Sequence, residues 1–332
     1  MKILGIESSC DETAAAVVVD GRELLSNIIV SQIKDHAIYG GVVPEIASRK
    51  HIESIVPVVS AALEEAGLAL SDIDGIAVTK GPGLVGSLLV GLSVAKAMAL
   101  SANIPLAGVN HIEGHLTAAL LEKEIAFPYI GLIVSGGHTS LYLVRSVGDY
   151  ERLGRTIDDA AGEALDKVAK VLGLGYPGGV EIDRAAKNGR ADAIAFPRGL
   201  LSKDNLDFSF SGMKTAASQY IKKQPGDRIP EMTSDIAASF QEAVVDVLVK
   251  KTIKAAQRHE IGSLVVSGGV ACNSRLREKM ALHAEKYGIE VYFPSPVLCT
   301  DNAAMIAALG YHYLNKGIRD DLSMNATARW EI

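Results

Sequence analysis

The segment NHIEGHL at 110–116 holds two of the chain's 8 histidines, with a glycine directly before the second. Residues four apart on a helix share a face, so the imidazoles of His111 and His115 can meet one metal ion. A histidine pair on a helix surface with no ligand at all is the competing reading. Glu113 lies two positions after the first histidine, about 200° away at helical pitch. The general base of an H-E-x-x-H metalloprotease is therefore missing from its required place. Two nitrogens do not complete a site, so a third ligand has to come from elsewhere in the chain.

A second set of residues could hold an anion. VSGGHTS at 134–140 and VSGGVACNS from Val266 onward are strands running into Ser-Gly-Gly. Glycine lets backbone N–H groups approach a phosphate with no Cβ in the way, and a plain tight turn explains the same residues. Only the second loop enters a helix, whose N-terminus would favour an anion. LGLGYPGGVEIDRAA (172–186) adds another glycine loop followed by Asp183, and Asp166 lies on the helix before it. Either carboxylate can be a helix-end charge or a ligand for a ribose hydroxyl. TKGPGLVGS (79–87) has no G-K-[ST], and no G-x-G-x-x-G follows the first strand. Nucleotide binding here is neither of the P-loop nor of the Rossmann kind.

The elements that must position these residues occur twice. An apolar strand, a small polar loop, a second strand and a DG turn open the chain, and the same order starts again at YIGLIVSGGHTSLYLVRSVGDYERLG. IDGIAVTKGPGLVGSLLVGLSVAKAMAL (73–100) and IGSLVVSGGVACNSRLREKMALHAEKYG (261–288) are both strand, glycine loop, helix. The expected architecture is two similar α/β lobes with a ligand cleft between them: residues 1–127, residues 128–310, and a trailing segment 311–332 that folds back on the first lobe. The stretch 40–68 has helical periodicity and ends at glycine, and Pro57 is expected to kink or break it, giving two helices. Residues 233–262 read as one long helix with a Ser or Thr N-cap.

A length of 332 residues suits two lobes better than one core. No apolar run reaches the roughly 20 residues of a membrane span, and no secretory leader opens the chain. Cys10, Cys272 and Cys299 are too scattered for a disulfide framework or zinc knuckle, which suits a reducing cytoplasm. The net charge of −6 argues mildly against non-specific nucleic-acid binding. Local basic segments remain: ASRKH (47–51), and the series Arg184, Lys187, Arg190, Arg198 and Lys203.

GIESSCDET, GGVVPEIASRKH, TKGPGLVGSLLVG, NHIEGHL, VSGGHT, GYPGG, FSFSGMKT, VSGGVACN and CTDNAAMIA occur together and in order. In them the chain resembles, over nearly its whole length, the bacterial tRNA threonylcarbamoyl-adenosine transferase family (TsaD), once labelled a glycoprotein endopeptidase. The resemblance implies a fold of two duplicated actin-like (ribonuclease H-like) lobes. It implies one divalent transition metal, Fe2+ or Zn2+, on His111, His115 and Asp301; from its surroundings alone Asp301 would be a helix N-cap. It places Val134, Ser135, Gly136, Gly137 and His138 along a nucleotide or acyl phosphate, ATP, AMP or an acyl-adenylate with Mg2+ as companion. Asp166, Gly179 and Asp183 would hold adenosine and ribose, and Asn273 would close the site. Ser9, Asp11 and Glu12 on the first hairpin would face the phosphate region.

The reaction so implied moves a threonylcarbamoyl group from L-threonylcarbamoyl-adenylate to N6 of the adenosine just 3′ of the anticodon, in tRNAs that read ANN codons. Glu12 or His138 could take the amine proton. The resemblance also implies partners: tRNA, a paralogous actin-fold subunit without the metal motif (TsaB-like), and a small P-loop ATPase (TsaE-like). The helical region 43–66 is expected to dock the paralogue, with Ile55 and Val59 on the apolar face. A small-molecule kinase of the same superfamily and a zinc protease are the rival readings. A bound transition metal counts against the first, and the misplaced Glu113 against the second.

Overall fold

A computed structural model describes residues 1–201 and 204–332. Lys203 therefore lies outside the described residues. Two five-stranded sheets carry the fold. The first contains β1 (Lys2–Glu7), β2 (Glu12–Val19), β3 (Glu23–Ser31), β4 (Gly75–Gly81) and β5 (Leu106–Asn110) in the order β3-β2-β1-β4-β5. The second contains β6 (Tyr129–Val134), β7 (Thr139–Ser146), β8 (Asp149–Arg155), β9 (Ser263–Ser267) and β10 (Glu290–Tyr292) in the order β10-β9-β6-β7-β8. Read from the hairpin edge, both run third, second, first, fourth, fifth strand. In each sheet the first three strands form an antiparallel meander, and the last two add in parallel beside the first. The duplication expected from the sequence is present strand for strand.

The central strands are continuous apolar runs because both their faces are covered. Beneath Leu4 and Ile6 of β1 lie the helices Pro44–Glu65 and Val85–Ala102, contributing Ile55, Val58, Val59, Leu92 and Ala95 to one core. The helix Val85–Ala102 is long and apolar enough to cross a membrane by length and composition alone, and here its inner face is a wall of that core. The opposite face of β1, set by strand alternation, takes the helix Ala303–Asn315. Contact there is at backbone distance. A Cβ added at Gly5 would lie 2.3 Å from the Ala303 carbonyl oxygen, and one at Gly310 would lie 2.2 Å from Ala77 Cβ.

Three sequence expectations change. Pro57 does not break the helix Pro44–Glu65. Pro57 and Glu53, whose carbonyl loses its i→i+4 donor, are both exposed, so water can take that carbonyl. The long helix of the second unit starts four residues early, at Ile229, with a proline rather than a Ser or Thr cap in its first turn. Last, the chain divides into Met1–Ile125 with Val297–Ile332, and Ala126–Pro296. The second unit thus ends at Pro296 rather than 310. The segment AAMIAALG of the last helix buries itself on the first sheet and takes Asp301 with it.

In the second unit, Lys279 bridges Glu242 and Asp246, Arg275 adds to Glu242, and Arg198 adds to Asp246. The network ties the helix Ile229–Arg258 to Ser274–Glu285. Much of the basic series is spent on such pairs: Arg184 on Glu181, Arg190 on Asp235 and Arg198 on Asp246.

Candidate metal centre and nucleotide loops

β5 is buried at every residue and delivers the chain to a short helix, His111–Thr117. Asn110 caps it, its side-chain oxygen accepting from Ile112 N at 2.8 Å and Glu113 N at 3.4 Å. His111 becomes the first helical residue and His115 stands one turn later, both buried. Gly114 has a steric reason. A Cβ there would come within 3.1 Å of Met305 and 3.2 Å of Ile306, so the small residue lets this helix settle against Ala303–Asn315.

The third member arrives from that second helix. Asn302 is its N-cap, accepting from Met305 N at 3.0 Å while its own amide donates to the carbonyls of Leu298 and Thr300. Capping falls to Asn302, and Asp301 faces the histidines instead. Its Oδ1 lies 3.1 Å from His115 Nε2 and 3.5 Å from His111 Nε2. Donor atoms of His111, His115 and Asp301 all lie within 4.8 Å of one another. The set of two imidazoles and one carboxylate, nearly dry, fits a divalent transition metal with coordination positions left for a ligand.

The electrostatics are those of a cation site. Burial pushes the His111 pKa down, but the charges of Asp301 and Glu7 outweigh it and hold the imidazolium up to about 9. Burial would likewise raise the fully buried Glu7, yet His111 brings its pKa below the ordinary value. For His115, burial wins over Asp301, and its pKa is lowered. Sequence reasoning missed Glu7. Its signal was an apolar strand, KILGI, that ends on a carboxylate; such a group is rarely buried without partners.

Glu113 accepts a short hydrogen bond from the Tyr313 hydroxyl, on the side of the helix away from the ligand atoms. The protease reading loses its base by geometry as well as by spacing. Glu12, at the start of β2, accepts from Ser31 Oγ at 3.0 Å. Burial, with the charges of Asp11 and Asp301, pushes its carboxyl well above the usual range.

In the second unit, the loop after β6 closes on itself: Ser135 N–H donates to the His138 carbonyl at 2.8 Å, and His138 N–H to Ser135 Oγ at 3.1 Å. It sits on the start of the helix Ala161–Leu172, whose first N–H groups go to Thr139 Oγ1 and the Ser135 carbonyl. Gly136 and Gly137 are exposed, and an added Cβ at either would meet nothing within 4 Å. The protein's own packing gives no reason for glycine at these two positions. The second Ser-Gly-Gly loop differs, since Gly268 has φ +97° and lies against the Val134 carbonyl.

Of the remaining predicted positions, one pair bond each other and the other two bond neighbouring residues. Asp166 accepts from Gly179 N at 3.1 Å, and Asp183 accepts from Ser274 Oγ at 2.7 Å and Ser274 N at 3.3 Å. Asn273 caps Ser274–Glu285 through its oxygen, and its amide donates to Gln241 at 2.8 Å. Its side chain is committed to the loop's own structure.

Comparison with known proteins extends this picture. Residues 23–308 match the family model described as tRNA N6-adenosine threonylcarbamoyltransferase. Proteins of that name from Syntrophotalea carbinolica and Geobacter metallireducens are 59% and 58% identical, covering 100% of this chain and 97% of each relative. Among solved structures, full-length HypF in a phosphate- and nucleotide-bound form superposes with a TM-score of 0.63 at 14% identity, over 96% of this chain and 56% of HypF. Component A of (R)-2-hydroxyglutaryl-CoA dehydratase from Acidaminococcus fermentans gives 0.55 at 18% identity, over 95% and 99%. At such identities the likeness speaks for the actin-like fold alone. The family match and relatives that agree along the whole chain decide the rest: this chain belongs to the tRNA N6-adenosine threonylcarbamoyltransferase family.

Proposed function

We propose that His111, His115 and Asp301 hold one divalent iron or zinc ion, and that the loop Val134–His138 receives the phosphate of a threonylcarbamoyl-adenylate. The convergence of two histidines on one helix with an aspartate just before another carries the metal half of this reading. The ion, when bound, would polarise the acyl donor and offset developing negative charge. The chemical step forms a bond from N6 of the tRNA adenosine to the carbamoyl carbon and breaks the mixed anhydride. AMP leaves, and the amine gives up a proton. Glu12, whose carboxyl is raised above the ordinary range, is better matched to an amine proton near neutrality than an ordinary carboxylate. His138 is the alternative acceptor. Gly136 and Gly137 are exposed and an added Cβ at either meets nothing within 4 Å, so an anion could approach their backbone. Asp166, Gly179 and Asp183 are placed on adenosine and ribose, with Asn273 shaping the adjoining loop.

The glycines give the direct test. Gly137→Val adds a side chain where the protein has only open space, so melting should stay near wild type. The phosphate would lose its approach, and AMP affinity measured by calorimetry should fall about tenfold or more, or some 1.4 kcal/mol. Unchanged affinity would remove the loop from the site.

For tRNA the chain would work with a paralogous actin-fold subunit and a P-loop ATPase, in the cytoplasm. The docking face expected at 43–66 has to be reassigned. Ile55 and Val59 point into the core, whereas Ile52 and Val56 on the same helix are 66% and 59% exposed. Val85 and Leu89 on the neighbouring helix are exposed as well, and the two helices approach closely where Gly86 meets Ser48. The variant Ile52→Glu/Val56→Glu should keep its fold and its metal yet fail to co-elute with the paralogue on size exclusion. Co-elution at wild-type strength would move the interface elsewhere.

A further inference from the structure

We propose that Glu7 is a positioning residue for the metal centre: its carboxylate takes the Nδ1–H of His111 and holds the ring with Nε2 turned toward Asp301 and the ion. The inference rests on the metal reading of His111, His115 and Asp301.

Glu7 ends β1 and is wholly buried. Three donors converge on its two oxygens. Ser9 N–H reaches Oε1 at 2.5 Å, Thr79 Oγ1 reaches Oε2 at 2.7 Å, and His111 Nδ1 lies 2.9 Å from Oε2. Ser9 N–H donates to Oε1 and the Thr79 hydroxyl to Oε2, so the carboxylate acts as acceptor at both oxygens and the imidazole nitrogen beside Oε2 is the one bearing hydrogen. Nε2, on the far side of the ring, is then the nitrogen that faces Asp301 and would give its lone pair to the ion. Ser9 Oγ, at 3.2 Å from the same Nδ1, is a weaker partner for it.

A tie between strands is the competing explanation, since Glu7 bonds Thr79 on β4. An anion is a poor choice for that role alone. Burying a carboxylate costs several kcal/mol of hydration, and a neutral amide could bond both neighbours, accepting from Ser9 N–H through its oxygen and donating to the Thr79 hydroxyl. What only an anion supplies is a stronger, more basic imidazole ligand, together with a second negative charge beside a divalent ion. A carboxylate behind a metal-bound histidine fixes its tautomer and orientation in many sites. Asp301 alone would balance one of the ion's two charges, and Glu7 balances the other.

The test uses the full chain and Zn2+, with affinity read by competition against a chromophoric chelator. Glu7→Gln keeps the shape and removes the charge. Its Zn2+ affinity should fall about 10- to 100-fold with the circular dichroism spectrum unchanged, and Glu7→Asp should recover part of the loss. A folded Glu7→Gln with wild-type affinity overturns the proposal. Nitrogen-15 spectra of histidine in the zinc-loaded wild type require no variant: His111 should carry its proton on Nδ1, and a proton on Nε2 overturns the proposal too. His111→Ala/His115→Ala serves as the reference. Should that variant keep its zinc, the metal reading itself falls. Should it lose zinc while Glu7→Gln does not, only the role of Glu7 falls.

Discussion

His111→Ala/His115→Ala should strip the chain of its transition metal and leave both sheets in place. The short helix that carries the pair is fixed by other means: its cap is Asn110, and Gly114 seats it on Met305 and Ile306. Removing two imidazoles from a buried site will cost some stability, on the order of 2–4 kcal/mol, because cavities open and Glu7 and Asp301 lose partners. The metal loss should nevertheless be complete, since a lone aspartate is no site for a transition ion. Threonylcarbamoyl-adenosine formed in a reconstituted mixture, followed by mass spectrometry of digested tRNA, should fall by about 10²- to 10³-fold, the size expected when a group that stabilises transition-state charge is removed. Elemental analysis reads the first effect. Full retention of metal in a folded double variant would mean that these residues hold no ion.

How much of this was legible in the chain depends on the range over which each feature is encoded. The histidine pair is local: spacing of four and helical pitch place both rings on one face, and the structure keeps them there. The duplicated strand order is local as well, one apolar run and one turn at a time. Asp301 was not visible in that way. Its immediate neighbours make it look like a helix cap, and only the resemblance to a family named it as a ligand. The structure gives the reason, because Asn302 takes the cap and Asp301 is brought 186 positions back to His115 by the fold. Glu7 stayed hidden because its importance comes from what it touches, His111 on a distant helix and Thr79 on a neighbouring strand. The boundary at 310 failed for a related reason. Which sheet the helix Ala303–Asn315 covers depends on matching surfaces, and here the match is the absence of side chains at Gly5 and Gly310. Pro57 misled because one part of the cost of a helix-interior proline, the unsatisfied carbonyl, is met by water at an exposed position.

That matching surface makes Gly5→Val a severely damaging change in the first unit. Gly5 is not needed for an unusual backbone angle; it is needed for room. A Cβ at this position would stand 2.3 Å from the Ala303 carbonyl oxygen, 2.7 Å from Ala307 N and 2.8 Å from Ala307 Cβ. Two of these neighbours are main-chain atoms of a helix, so no rotamer change relieves the clash, and the helix itself has to lift. Gly75 against Leu314 and Gly310 against Ala77 hold the same helix at the same close distance, and lifting one end disturbs the others. Overpacking a core with movable side chains costs about 1–3 kcal/mol, and a rigid helix should put this change at or beyond the top of that range. The consequence for chemistry follows from where the helix begins. Asp301 lies two residues before Ala303, so a shift of the helix start carries the carboxylate away from His111 and His115, which belong to a different element and stay behind. Gly5→Val should therefore lower the melting temperature and also weaken Zn2+ binding in whatever protein remains folded, although every metal ligand is intact. The comparison with Gly137→Val separates crowding from glycine loss as such, because that substitution enters open space and should leave the melt unchanged. A Gly5→Val protein with wild-type melting and wild-type zinc affinity would show that the helix reaches the sheet less closely than this packing requires.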